Sequence, residues 1–183
     1  MKMNKPAFVS FVEAPKAFQT WQFRIPEAPY PFVATMAPDS ISSLNPSLEA
    51  DSDKPIPSPE NAPPLLQHLK HWLSSYYRGC PTVSDWILSP SGTPFQLAVW
   101  RALTSIPRGA TASYRDIAEQ IGEPKACRAV GNAIGRNPLM ILIPCHRIVR
   151  SNGQTGGFRW GPALKRELLM LEETTGHPER PFR

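Results

Sequence analysis

The clearest pattern along the chain is a series of segments, from residue 64 onward, whose apolar residues recur at three- and four-residue spacing. Apolar residues at this spacing form one face of an amphipathic α-helix. The segments are LLQHLKHWLSSYY between Pro64 and Gly79, FQLAVWRALTSI after Thr93-Pro94, YRDIAEQI after Ser113, KACRAVGNAIG, and PALKRELLMLEE from Pro162. The pattern therefore predicts a largely helical second half of the chain.

The first 64 residues have a different pattern. The segments FVSFV and WQFRI are short, and the second alternates apolar with polar positions, which is typical of β-strands. From Ser40 to Pro64 the chain combines Ser, Pro and acidic residues with few apolar ones, a composition that buries too little surface to order itself. Within residues 1–90 we therefore expect a small sheet, a loop over about residues 40–64 and a helix over about residues 64–79.

Two of the predicted helices are short and are joined by Gly122-Glu123-Pro124, which is the arrangement of a helix-turn-helix. The second helix is expected to turn Lys125, Arg128 and Asn132 outward. Its many Ala and Gly residues allow a close approach to another surface, so the helix fits a narrow groove into which Arg128 can insert. Helical hairpins of this kind also occur in proteins that bind no DNA. The predicted inward positions are Ala126, Ala129, Val130, Ala133 and Ile134.

Charge adds to this picture because it is unevenly distributed. Residues 1–90 carry 7 Lys+Arg against 8 Asp+Glu, whereas residues 91–183 carry 13 against 7, a net charge of +6. This asymmetry indicates an anionic partner such as nucleic acid. The chain has no apolar run of about 18 residues that predicts a membrane span, and its N-terminus is a poor signal peptide. With three widely spaced cysteines, we expect an intracellular protein with reduced thiols.

The candidate chemistry lies in LMILIPCHRIVR, a run with the composition of a buried strand that Pro144-Cys145-His146-Arg147 interrupts. Cys145 is either a buried structural residue or a thiolate nucleophile activated by an imidazole and nearby basic charge. Glu172 and Glu173 end the last predicted helix, where the helix dipole disfavours carboxylates. One of them is therefore expected to serve another purpose, such as orienting a histidine.

A metal site is the less favoured interpretation of His68 and His71, which lie one helical turn apart with Cys80 beyond them. Zinc sites need a fourth ligand nearby and a second close pair of ligands. We therefore prefer imidazoles on the polar face of the helix, and we expect neither a metal nor a cofactor.

Several motifs together resemble one known family. IPCHRIV, preceded by SYRDIAEQIGEPKA and RAVGNAIGRNP and followed by GGFRWGPALKRELLMLE, is similar to the 6-O-alkylguanine-DNA alkyltransferases, also called methylated-DNA–protein-cysteine methyltransferases. The resemblance covers residues 92–173. It implies an α+β fold, with a mainly helical, winged-helix-like DNA-binding and catalytic domain over residues 91–175. A small N-terminal α/β domain precedes this domain, and a tail over residues 176–183 follows it.

The resemblance also implies a reaction and the residues that perform it. The family flips an alkylated guanine out of duplex DNA through the minor groove and moves the alkyl group irreversibly onto a cysteine, once per molecule. In this sequence Cys145 matches the acceptor, and His146 matches the base that removes its proton through a water. Glu172 matches the residue that orients His146, and Asn137 matches the residue that holds the loop around the nucleophile.

Further matches concern the substrate and the DNA. Arg128 matches the arginine that fills the gap left by the flipped base, and Tyr114 matches a tyrosine that crowds the phosphate and hydrogen-bonds guanine at N3. Phe158 stands where many relatives have a tyrosine, which leaves the contacts to the base open. The residues expected at the substrate are Tyr114, Ile148, Phe158 and Arg159, and those expected at the DNA are Tyr114, Lys125, Ala126, Arg128 and Ala129.

Two other function classes remain as alternatives. A non-catalytic protein that binds alkylated-DNA lesions, or a regulatory protein, could use the same helix-turn-helix, although relatives of that kind replace the cysteine, and this chain keeps PCHR. A cysteine hydrolase with a Cys-His-Glu relay would turn over repeatedly. The preferred hypothesis is a monomeric repair protein whose partner is double-stranded DNA carrying an alkylated guanine.

Overall fold

A computed structural model describes residues 9–13, 17–47, 62–80 and 85–173 of the 183-residue chain. The chain divides into two compact units, Met1–Ser91 and Gly92–Arg183. Predictions that concern residues 48–61 and the tail beyond residue 173 lie outside the described residues. Within the described ranges, no helix is long and apolar enough to cross a membrane.

The first unit is built on a five-stranded mixed sheet. Its strands are β1 (Val9–Phe11), β2 (Gln19–Phe23), β3 (Phe32–Met36), β4 (Ile41–Pro46) and β5 (Trp86–Leu88). Their order in the sheet is β1-β5-β4-β3-β2. The pairs β2/β3 and β3/β4 are antiparallel, whereas β5 pairs in parallel with both β1 and β4. The predicted strands in FVSFV and WQFRI are confirmed as β1 and β2.

The prediction that a loop begins at Ser40 is wrong for its first part. Residues 41–46 form β4, in which Ile41 and Leu44 are fully buried. The Ser-rich composition hides a strand because two apolar residues suffice to anchor it once β3 and β5 pair with its backbone. Strand β4 therefore lies inside the sheet rather than in a linker.

The helix predicted from Pro64 is confirmed as α1 (Pro64–Tyr77), which has Pro at its first turn and buries Leu66, Leu69 and Leu73. Proline suits this position because the first helical N–H groups have no partner within the helix. Aromatic contacts join α1 to the sheet, with Trp72 against Trp86 of β5 at a centroid distance of 5.6 Å. The ring of His68 also packs against Trp86, at 5.0 Å.

The second unit contains α2 (Pro94–Thr104), α3 (Tyr114–Gln120), α4 (Cys127–Gly135) and α5 (Pro162–Glu173). Two short strands, β6 (Ala112–Ser113) and β7 (Ile148–Val149), pair in parallel. The helices α2 and α3 begin at capping boxes, Thr93 with Gln96 and Ser113 with Asp116. A capping box satisfies exposed N–H groups at a helix start, and here it fixes Tyr114 as the first residue of α3.

The inward face predicted for α4 is confirmed for Val130, Ala133 and Ile134, which are buried. It is wrong for Ala129, which is exposed, and Ala126 is only half-buried. The physical reason is that the first turn of α4 lies outside the core of the unit, so its apolar residues face solvent. The rest of the helix packs against the core. There Trp100 Nε1 of α2 donates a hydrogen bond to the carbonyl of Ala133 at 2.9 Å.

The run LMILI does not form the buried strand that its composition predicts. Residues 139–143 are buried, but residues 140–142 form a turn, in which Ile141 has a φ of 69°. The side chain of Asn137 replaces a neighbouring strand. Its Oδ1 accepts from Leu139 N at 2.9 Å and its Nδ2 donates to Ile143 O at 2.8 Å. A side chain that bonds backbone groups nearby competes with sheet pairing, and this loop delivers Cys145 to the site.

Candidate active site

Cys145 begins a 3₁₀ helix (Cys145–Arg147) directly after the Asn137 loop. Its side chain is only 3% exposed, and its Sγ lies 3.0 Å from Asn137 Nδ2, which donates to it. Burial raises the pKa of the Cys145 thiol to about 11, although the Asn137 hydrogen bond and the charges on Lys165 and Arg159 oppose this rise. The neutral thiol is therefore the resting form, and a base is needed to produce a thiolate.

A buried histidine and carboxylate lie beside the nucleophile. His146 Nε2 and Glu172 Oε1 are 2.9 Å apart, and the two side chains are 0% and 1% exposed. Burial lowers the pKa of His146 more than Glu172 raises it. The imidazole is therefore neutral near pH 7 and able to accept a proton.

Arg147, to which no sequence motif assigns a role, completes this arrangement. Its Nε donates to Glu172 Oε2 and its second terminal nitrogen donates to Glu172 Oε1, both at 2.8 Å. The backbone N–H of Gly109 also donates to Oε2, at 3.2 Å. Burial acts to raise the pKa of Glu172, but the charges and hydrogen bonds of His146 and Arg147 outweigh it and hold that pKa well below its usual range. Glu172 is thus a fixed anion with a defined orientation.

An open cavity of about 460 Å³ adjoins Cys145. A cavity of this size is large enough for a purine base. Tyr114 from α3 forms part of its wall, and burial raises the pKa of the Tyr114 hydroxyl, so it is protonated and can donate a hydrogen bond. The other lining residues are Cys127, Gly131, Ile134, Gly135, Arg150, Gly157, Phe158 and Arg159.

The structure brings most of the predicted site residues together. Cys145, Tyr114, Phe158 and Arg159 line one cavity. Ile148 differs, because its side chain is fully buried in β7 and is not part of the cavity wall. Among the predicted DNA-contacting residues on or next to the first turn of α4, Lys125, Arg128 and Ala129 are exposed and Ala126 is half-buried.

A second, smaller cleft of about 330 Å³ lies next to the cavity. Three residues line both the cavity and the cleft: Tyr114, Cys127 and Arg150. The cleft is also lined by Arg115 and by Ser113, the residue that caps α3. Two guanidinium groups, those of Arg115 and Arg150, line the cleft, and their positive charge suits a phosphate group. The described residues contain no group of three or more His, Cys, Asp or Glu side chains able to hold a metal ion.

Lys165 was missed entirely, although the sequence carries a signal for it. Lys165, Leu168 and Glu172 share the buried face of α5, so two charged residues occupy positions that an amphipathic pattern reserves for apolar ones. Lys165 is 1% exposed, and its Nζ donates to the carbonyls of Ile148, Thr155 and Gly157. Burial lowers its pKa to about 8. Lys165 therefore connects strand β7 to residues 155–157, which precede Phe158 in the loop that lines the cavity.

Replacing this lysine is expected to destabilise the fold. Lys165→Met keeps the length of the side chain but leaves the buried carbonyl of Ile148 and the part-buried carbonyls of Thr155 and Gly157 without their donor, which we expect to cost about 2–3 kcal/mol of unfolding free energy. Urea unfolding at pH 7 measures the loss. Arg166→Met at the adjacent, exposed position is the control and should change stability by less than about 0.5 kcal/mol. Equal stability of both variants would show that the carbonyl contacts contribute nothing.

Comparisons with known proteins agree with this geometry. Residues 94–174 match the family described as the DNA-binding domain of 6-O-methylguanine DNA methyltransferase. The chain is 48% identical to a methylated-DNA–protein-cysteine methyltransferase of Methanosarcina barkeri over 101 residues, which are 55% of this chain and 64% of that protein. It is 45% identical to the protein of the same name from Methanosarcina mazei over 109 residues, 60% of this chain and 69% of that protein.

A solved structure extends the likeness to nearly the whole chain. The structure of OGT from Mycobacterium tuberculosis in complex with DNA matches with a TM-score of 0.74 and 34% identity, covering 87% of this chain and 95% of that chain. This match includes most of the first unit, which the sequence analysis left without a relative.

Proposed function

Since this chain belongs to the methylated-DNA–protein-cysteine methyltransferase family, we propose that it repairs DNA by moving the alkyl group of 6-O-alkylguanine onto its own Cys145. The observation that carries this proposal is the position of Cys145. The thiol lines a cavity large enough for a purine base, with Tyr114 on the cavity wall and the His146–Glu172 pair beside the nucleophile.

Duplex DNA is the partner that the surface favours. Residues 91–183 carry the net charge of +6, and α3 and α4 form a helix-turn-helix with Lys125 and Arg128 exposed at the start of α4. Because the exposed turn carries small residues around one long arginine, it fits a minor groove, where Arg128 fills the space of the flipped base. The cleft with Arg115 and Arg150 is suited to hold the adjacent phosphate.

Extraction of the base is required because the 6-position of guanine lies inside the base stack. Flipping costs a few kcal/mol and costs least for a badly paired base, so an alkylated guanine enters the cavity more readily than an intact one. Tyr114, whose hydroxyl stays protonated, is positioned to donate a hydrogen bond to guanine N3.

The chemical step begins with the removal of the thiol proton. His146 accepts this proton through a water, and Glu172, held by Arg147, stabilises the imidazolium that results. The thiolate displaces guanine from the alkyl carbon, and the negative charge that develops on the base is met by hydrogen bonds. The thioether has no ready route back to the thiol, so each molecule acts once.

The alternatives have less support. A non-catalytic lesion-binding protein needs no His-Glu pair beside a cysteine, whereas this chain has both residues buried and in contact. A hydrolase needs a route for water to attack an intermediate repeatedly, and an alkyl thioether offers no such intermediate. We infer that the protein acts as a monomer on DNA inside the cell.

The experiment is a mass measurement on the reacted protein. Incubation with a duplex that contains one 6-O-methylguanine is expected to add one methyl group to the peptide that contains Cys145, with one equivalent transferred per molecule. An otherwise identical duplex with guanine is the control. Folded protein that binds the lesion duplex and gains no mass on that peptide would exclude the proposed function and favour a lesion-binding protein. Transfer beyond one equivalent would favour a hydrolase.

A further inference from the structure

One cation of the cavity is not used by the His146–Glu172 pair. Arg159 follows Phe158 in the loop that forms the cavity wall, and its side chain is solvent-exposed. Its NH1 donates to the backbone carbonyl of Asn137 at 3.3 Å. The side chain of the same Asn137 donates to Cys145 Sγ. Asn137 therefore connects the guanidinium to the nucleophile through two hydrogen bonds.

The guanidinium also lies over an aromatic ring. The central carbon of the Arg159 guanidinium lies 5.5 Å from the centroid of the Trp160 ring, and Trp160 packs against Phe158 at a centroid distance of 5.2 Å. Contact with an aromatic face restricts a long side chain without occupying its N–H donors. Arginine has five such donors, and within the described residues Arg159 uses one of them, on Asn137.

The other cations near the cavity differ from Arg159 in their contacts. Lys165 donates to three backbone carbonyls below the loop. Arg150 lines both the cavity and the smaller cleft, and its NH1 contacts Gln154 Oε1 at 3.4 Å rather than Asn137. Arg159 lines the cavity and donates a hydrogen bond to Asn137, the residue that contacts Cys145 Sγ. Its remaining N–H groups are available to donate to a ligand.

We propose that the Arg159 side chain is a catalytic group of the alkyl transfer, donating a hydrogen bond to guanine O6 as the bond from O6 to the alkyl carbon breaks. This inference rests on the proposed function. Because Arg159 and Cys145 line one cavity and are both hydrogen-bonded to Asn137, a base whose alkyl carbon faces Sγ places O6 near the guanidinium. A charge-assisted hydrogen bond is about twice as strong as a neutral one, and it strengthens as charge builds on O6.

The atoms and electrons of the step balance. The thiolate sulfur forms a bond to the alkyl carbon, and the bond from that carbon to O6 breaks with its electron pair moving to the guanine. Arg159 keeps its charge throughout, because a guanidinium donates hydrogen bonds in proteins without releasing a proton. The proton that His146 takes from the thiol equals the one that the guanine anion gains when it becomes neutral guanine.

The test is the single-turnover rate of methyl transfer from a duplex with 6-O-methylguanine, at neutral pH and saturating DNA. We expect Arg159→Ala to lower this rate about 10- to 100-fold. This effect is smaller than that of removing a donor from an enclosed oxyanion site, because the Arg159 side chain is solvent-exposed. Arg159→Lys should recover part of the rate, since it keeps the charge but loses the planar fork. Arg166→Ala, at an exposed position of α5, is the matched control and should stay within about twofold.

A second measurement separates a catalytic role from a structural one. Iodoacetamide is expected to alkylate Cys145 as well, a reaction followed on the peptide that contains Cys145, and its leaving group is iodide, which needs no hydrogen bond. We expect Arg159→Ala to change the iodoacetamide rate by less than about threefold. If both rates fall by the same factor, Arg159 acts on the thiol, through Asn137 or through its own charge, and the proposal is wrong. It is also wrong if methyl transfer is unaffected. Absence of transfer by the unaltered protein overturns the proposed function itself, which is a separate result.

Discussion

Cys145→Ala is expected to abolish alkyl transfer while the protein still binds DNA that carries the lesion. No other described residue places a thiol beside Asn137 and His146, so we expect the transfer rate to fall at least about 10⁴-fold. The fold should survive, because Asn137 Nδ2 also donates to the carbonyls of Leu139 and Ile143. Losing Sγ as an acceptor therefore leaves no buried donor without a partner.

Two measurements check this expectation. Mass spectrometry follows methyl transfer, and fluorescence anisotropy of a labelled duplex with 6-O-methylguanine follows binding, which should stay within about threefold of the unaltered protein. Cys80→Ala is the matched control, because Cys80 is exposed and lies in the other unit, and it should transfer one equivalent as before. Methyl transfer by Cys145→Ala would mean that another residue accepts the group.

The sequence predicted the helices well because their signals are local. Capping residues such as Thr93 and Ser113, together with apolar spacing, depend on neighbours within one or two turns. Strands β3, β4 and β5 were not predicted, since a strand of three to six residues is defined by its partners. The prediction of a strand over residues 139–143 is wrong for a related reason. Their composition is that of a strand, and a single side chain, Asn137, supplies the hydrogen bonds that a neighbouring strand would otherwise have made.

The active site divides in the same way. Motifs identified Cys145, His146 and Glu172, which the structure brings together, because residue types in a fixed order carry that information. The roles of Arg147, Lys165 and the Arg159 side chain depend on which backbone carbonyls and carboxylates they reach. Such partners lie up to 41 residues away in the chain, as does the carbonyl of Ile106 to which Arg147 donates. A motif can also mark a residue whose side chain does not reach the site. Ile148 was expected at the substrate, yet its side chain is buried in the core.

Glu172→Gln is expected to have the second-largest effect, on both stability and rate. The substitution keeps the shape of the side chain but removes the anion that Arg147 and His146 share. The Arg147 side chain is only 11% exposed, and a largely buried guanidinium that loses its counter-charge costs about 3 kcal/mol, the lower end of the range for buried pairs. Because the carboxylate also raises the pKa of His146, its loss makes the imidazole a weaker base. We therefore expect the single-turnover rate to fall about 10²- to 10³-fold, within the range of a general-base contribution.

The pH dependence gives this prediction a distinct signature. The pKa of Glu172 is depressed in the folded protein, so its stabilising effect is present above the unfolded-state value of about 4.3 and declines as the pH falls below it. Urea unfolding should show the largest difference between Glu172→Gln and the unaltered protein at pH 7, and a smaller one below about pH 4. Glu173→Gln, at the adjacent exposed position, should have the same unfolding free energy as the unaltered protein at both pH values. A difference that stays constant with pH would mean that packing, rather than charge, accounts for the loss.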